Sequence, residues 1–140
     1  MQYTNENRGK IQFRERKKQI IDFSGLKYDN ITPSDIDGYI EYRNIASILY
    51  EFKYKNAELS DGQLKSLIRN TDKVAKCGCD AVLFICRHEV DDPNEDVDAA
   101  STPVDEYYYN KTWYPANGRT AKEMTDAFMD YVKKKRNFMQ

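Results

Sequence analysis

The sequence predicts an α/β fold, a small mixed β-sheet flanked by helices, in one domain spanning residues 1–140. Three observations carry that prediction. Residues 35–42 and 46–55 alternate in polarity with a period of two, the pattern of half-buried strands. Residues 80–87, DAVLFICR, form a continuous apolar run, the pattern of a strand covered on both faces. A segment of helical periodicity lies between the second and third of these, which makes a right-handed strand–helix–strand crossover.

Taken in order, IQFRERKKQIIDFS at 11–24 places Phe13, Lys17, Ile20 and Ile21 on one helical face, so a helix ending before Gly25 is expected. Asn30, Pro33 and Ser34 mark a loop. In the first strand Asp35, Asp37, Tyr39 and Glu41 share one face, and Ile36, Gly38, Ile40 and Tyr42 share the other. Arg43-Asn44-Ile45 reads as a turn. In the second strand Ser47, Leu49, Glu51, Lys53 and Lys55 share a face opposite Ile48, Tyr50, Phe52 and Tyr54. Ser60 or Asp61 caps a helix whose apolar positions are Leu64, Leu67, Ile68, Val74 and Ala75, and Cys77-Gly78 ends it. After the apolar strand comes a long acidic loop to Val104. VDEYYYNKTWY reads as one further strand and Asn117-Gly118 as a turn. Thr120 caps a last helix running to about Arg136.

Composition narrows the function classes. Charged residues make up 32% and apolar ones 40%, a globular rather than disordered balance. No apolar run approaches the ~20 residues of a membrane span, and the polar start, MQYTNENRGK, has no signal-peptide core, so a cytoplasmic protein with no membrane partner is expected. The odd count of cysteines, Cys77, Cys79 and Cys86, suits a reducing compartment and lacks the paired spacing of a zinc site. His88 is the single histidine and follows an apolar strand, a loop-edge position rather than a catalytic one. The net charge is −1, yet Arg14, Arg16, Lys17 and Lys18 cluster near the start, and Lys133 to Arg136 near the end. Such local basic patches hold phosphates even in a neutral protein; a solvated helix end answers equally well for the second.

Charges in the hairpin need the most explanation. Asp37 and Glu51 are equidistant from Asn44, so a turn centred there sets the two carboxylates opposite each other on adjacent strands, with Lys53 on the face of Glu51. Two carboxylates this close repel unless a cation intervenes. Hard oxygen ligands suit Mg²⁺ or Mn²⁺. Lys53 is then positioned to orient a water or to stabilise charge on a phosphate.

Asp37 followed by Glu51-Phe52-Lys53 resembles the D…(D/E)-x-K signature of the PD-(D/E)XK nuclease superfamily, over residues 11 to 87. The stretch TPSDIDGYIEY…YEFKYKNAELSDGQ is similar to small phage and prophage members of its resolvase-like and VRR-type branches. The resemblance implies a restriction-endonuclease-like core, αββαβ plus a C-terminal strand and helix, and metal-dependent hydrolysis of DNA. It implies metal ligation by Asp37, Glu51 and the carbonyl of Phe52, with Lys53 catalytic, and Gln63 standing where some relatives carry a glutamine. Glu15 stands where some carry a further metal-binding glutamate. Asp35 competes with Asp37, because here the Pro and the Asp are not contiguous. Gly38 is expected to leave room for a phosphate. Arg14, Arg16, Lys17, Lys18 and Lys55 are the candidate backbone-phosphate contacts.

Rival readings remain open. Asp35-Ile36-Asp37-Gly38 also resembles the nucleophile loop of haloacid-dehalogenase-type phosphatases, but no apolar strand precedes it. A catalytically silent nucleic-acid-binding or protein-interaction module is the second class, with Tyr107 to Tyr109 and Trp113 available to stack on bases. Packing of those aromatics within the sheet is the commoner outcome. A homodimer, joined through an exposed tyrosine strand, is the third.

Overall fold

A computed structural model describes residues 18–137, and the chain divides into two compact units, Met1–Ser34 and Asp35–Gln140. In the first unit, the described residues hold a single 3-10 turn at Ser24–Leu26 and a bridge between Tyr28 and Ile31. The expected helix over 11–24 is not found where it can be seen. Residues 11–17 lie outside the described residues, and 18–23 are not helical. The local reason is that the Asp22 carboxylate accepts the Ser24 amide at 2.9 Å, a side-chain bond that competes with helix formation.

The second unit is a five-stranded sheet with strands adjacent in chain order: β1 (Gly38–Tyr42), β2 (Ala46–Tyr54), β3 (Asp80–His88), β4 (Val104–Tyr109) and β5 (Thr112–Pro115). Only the β2–β3 pair is parallel. Helix α1 (Asp61–Lys76) makes the crossover between them, and α2 (Ala121–Lys135) follows β5. This is a mixed α/β fold with the expected crossover.

Alternation of side chains along the strands supplies both helices with an apolar surface. On one face Leu49, Leu83, Ile85 and Tyr108 pack with Leu67 of α1. On the other, Ile48, Val82, Phe84, Cys86 and Val104 pack with Ala121 and Met124 of α2. β3 reads as an unbroken apolar run because it is buried from both sides. All three cysteines are free, Cys77 at the end of α1 and Cys86 in the core.

One expected strand is two. VDEYYYNKTWY folds back at Asn110-Lys111, both in the left-handed region at φ of 51° and 64°, which is the backbone of a tight hairpin turn. The tyrosines are not a free surface either. Tyr108 is buried, and Tyr107, Tyr109 and Trp113 are half-buried, with Tyr107 stacked on Tyr114 and Tyr108 against Trp113.

Helix ends follow the sequence closely. The Ser60 hydroxyl accepts the Gln63 amide and starts α1. Thr120 and Glu123 form a reciprocal capping box at α2. Thr120→Ala is expected to lower unfolding stability by about 1 kcal/mol, read from urea denaturation; an unchanged midpoint would show that the helix entry is held by packing alone. At the other end of α2, Lys135 and Arg136 close on Asp80 at 2.8 and 2.9 Å. Half of the C-terminal basic run is therefore committed to the fold.

Candidate active site

The hairpin register is the one centred on Asn44. Gly38 faces Tyr50 and Tyr42 faces Ala46, so position 37 falls opposite position 51. Asp37 itself stands just before β1 and is exposed rather than inward. Its carboxylate is held by the edge of β2, where Oδ2 accepts the Phe52 amide at 2.8 Å. Along a strand, the amide and carbonyl of one residue point to the same side, so the Phe52 carbonyl is directed toward the same edge.

Glu51 is the unusual residue. It is 2% exposed, on the face covered by α1. Oε1 accepts Gln63 Nε2 at 3.0 Å and lies 3.8 Å from Lys53 Nζ. Oε2 is buried and has no hydrogen-bond partner. Burial, and then the neighbouring Asp37 carboxylate, push the Glu51 carboxyl up to about 7, against the opposing pull of Lys53 and the Gln63 bond. Each partner comes from a different element: Asp37 from the approach to β1, Lys53 from two residues along β2, and Gln63 from the first turn of α1. The Ser60 cap sets that first turn, which is how a residue twelve positions downstream reaches Glu51.

Asp37, Glu51, Lys53 and Gln63 are thus brought together. The acid that acts on Glu51 is Asp37. Gly38 also has a packing role. A Cβ there would lie 3.2–3.3 Å from the nearest atoms of the Tyr50 side chain, so the missing side chain makes room for Tyr50. Glu15, Arg14, Arg16 and Lys17 lie outside the described residues. Lys18 is exposed in the first unit. Lys55 is not a free cation: its ammonium pairs with Asp91 at 2.9 Å and lies over the Tyr54 ring.

Lys55 belongs to an arrangement that the sequence did not announce. The Tyr54 hydroxyl donates to Asp91 at the start of the acidic loop. Arg87 donates to the carbonyls of Lys55 and Ala57 and to Asp105. The connection from β2 to α1 is therefore fastened to β3 and β4, which steadies the Lys53–Gln63 geometry. Local signals cannot pair an Arg with carbonyls thirty residues away.

Two carboxylates, one of them with an orphaned buried oxygen, and a backbone carbonyl are a donor set that fits a hard divalent cation. Among the described residues no three His, Cys, Asp or Glu side chains converge, so such a cation would rest on two acids. This chain matches no family model, no curated protein and no solved structure.

Proposed function

We propose that the protein is a Mg²⁺- or Mn²⁺-dependent nuclease that hydrolyses phosphodiester bonds in DNA, on a restriction-endonuclease-like core. The observation that carries this reading is the buried Glu51 carboxylate, one oxygen unpaired, pressed against Asp37 beside Lys53. Buried side-chain oxygens as a rule have a partner, so the unpaired Oε2 is the atom a ligand would answer.

Asp37, Glu51 and the Phe52 carbonyl would hold the cation. When bound, it supplies Lewis acidity at a phosphate oxygen and acidifies a water. The chain does the remaining work. The Phe52 amide fixes Asp37, and Gln63 fixes Glu51, so neither carboxylate has to reorganise. Lys53 is 24% exposed with its ammonium 3.8 Å from Glu51 Oε1, from where it can orient the attacking water and donate to the phosphate. Gln63 is a positioning residue, acting through Glu51. Strand β2 with the crossover helix α1 and the parallel strand β3 supports the core assignment, and membrane attachment through a spanning helix finds no support among the described residues.

The test is cleavage of linear duplex, branched and single-stranded DNA by wild type and Lys53→Ala, with Mg²⁺, Mn²⁺ or EDTA. Metal-dependent cutting that falls about 100-fold or more in the variant is the expected result. Cutting that survives EDTA, or that Lys53→Ala leaves intact, would overturn the reading.

A further inference from the structure

On the α1 face of the sheet, away from Glu51 and toward β4 and β5, lies an open concavity of about 640 Å³. Arg69, Lys73 and Lys76 line it from α1, and Asn110 and Lys111 line it from the β4–β5 turn. Its single acid, Asp72, is already engaged: one oxygen accepts the Tyr108 hydroxyl at 2.9 Å, and the other lies 3.6 Å from Lys111. Arg69, Lys73 and Lys76 are exposed and make no ion pair among the described residues. Four cations thus face one hollow against one anion. A solvated helix face ordinarily intersperses its charges with acids, as Lys65 does here with Asp61 at 3.0 Å.

We infer that this concavity binds the phosphate backbone of a nucleic acid at a distance from the cleavage site. Arg69 and Lys76 are seven residues apart, about 10 Å along the helix, too broad for one phosphate and enough for neighbouring phosphates of one strand. Arg69 adds a planar fork that matches phosphate oxygens two at a time. Leu49, Leu83 and Ile85, which share the face of Glu51, pack with Leu67 and Tyr108 beneath this same surface. Gln63, which bonds Glu51, and Lys73, which lines the hollow, stand on the same helix. From Gln63 to Lys73 is about 15 Å along α1, on the order of four or five nucleotides. The inference rests on the proposed nuclease reading for its choice of ligand, nucleic acid over an acidic protein.

The experiment is fluorescence anisotropy with labelled duplex, branched and single-stranded DNA in EDTA, where no cleavage intervenes, across a KCl series. Wild type is compared with Arg69→Ala/Lys73→Ala/Lys76→Ala and with Lys134→Ala, an exposed lysine of α2. Alanine is the best helix former, so the triple variant should stay folded, checked by circular dichroism. Tenfold or greater loss of affinity is expected for the triple variant, with the slope of log K against log salt reduced by about 2–3, and little change for Lys134→Ala. A triple variant that binds like wild type or like Lys134→Ala would overturn the inference, as would wild type that binds no DNA. The two readings fail separately: a chain that binds through this surface but never cuts loses the nuclease assignment alone, and one that cuts normally with the triple substitution loses this surface alone.

Discussion

Glu51→Gln is expected to abolish metal-dependent cleavage and yet, without metal, to make the protein more stable above neutral pH. The wild-type carboxyl sits at about 7 when folded, against an ordinary value of 4.5. Because the folded value is the higher, the native protein keeps a proton that the unfolded chain releases. Wild type therefore loses stability as pH rises from 4.5 to about 7, and carries the whole penalty above that. The interval corresponds to about 3 kcal/mol. An amide at this position has no charge to bury and can still meet Gln63 and Asp37. In EDTA the two proteins should match near pH 4, and Glu51→Gln should be the more stable by about 2–3 kcal/mol near pH 9, read from urea denaturation. Mg²⁺ or Mn²⁺ should then reverse the order. A ligand that binds only the native state stabilises it by about 2.7 kcal/mol at a hundred times its Kd. Wild type should show this rise in melting temperature and Glu51→Gln should not. Parallel pH profiles for the two proteins would remove the basis for a strained carboxylate pair, and an equal response to metal would remove Glu51 from the cation site.

The parts of this site that the sequence discloses are those built from short-range order. The register opposing positions 37 and 51 follows from a turn at Asn44 and the period-two alternation of two strands, both local. The reach of Gln63 to Glu51 follows from a Ser60 cap that fixes where α1 begins. The same holds for the Thr120 capping box and for β3, whose apolar run announces cover on both faces. What stays hidden depends on partners distant in the chain or on competing local bonds. Asp22 takes the Ser24 amide in a segment whose apolar spacing still looks helical. Asn110 and Lys111 turn the chain within a run of aromatic residues whose strand propensity masks the turn. The packing of Tyr50 against Gly38 comes from across the hairpin, which no inspection of Gly38 and its neighbours reveals. Lys55 looks like a free cation until Asp91, folded back from the acidic loop, is seen to hold it.

Asp80→Ala should be the most damaging single substitution away from the site. Asp80 opens β3 and is 4% exposed, with three donors on its two oxygens: Lys135 Nζ at 2.8 Å and the Tyr109 hydroxyl at 2.9 Å on Oδ1, and Arg136 Nε at 2.9 Å on Oδ2. Arg136 also donates to the Gly78 carbonyl at 2.7 Å, so one carboxylate and one guanidinium join the end of α2 to the turn between α1 and β3. Burial alone would push the Asp80 carboxyl up; the bonds from Lys135, Tyr109 and Arg136 outweigh it and hold the group below the ordinary carboxylate range. Removing the carboxylate strands a half-buried guanidinium and the Tyr109 hydroxyl together. Breaking a buried pair costs about 3–5 kcal/mol, and because Lys135 remains half in water the lower end, about 3 kcal/mol, is expected. The pH dependence runs opposite to that of Glu51. A depressed folded value means that the stabilisation is complete above the unfolded value of 3.8 and is lost as pH falls through the folded one. Urea denaturation of wild type and Asp80→Ala should therefore show a wide gap at neutral pH that narrows on strong acidification. A gap that stays constant into acid would mean that the loss comes from packing and not from the charge, and a gap below ~0.5 kcal/mol, the size of an ordinary surface substitution, would mean that α2 is held by its apolar face alone.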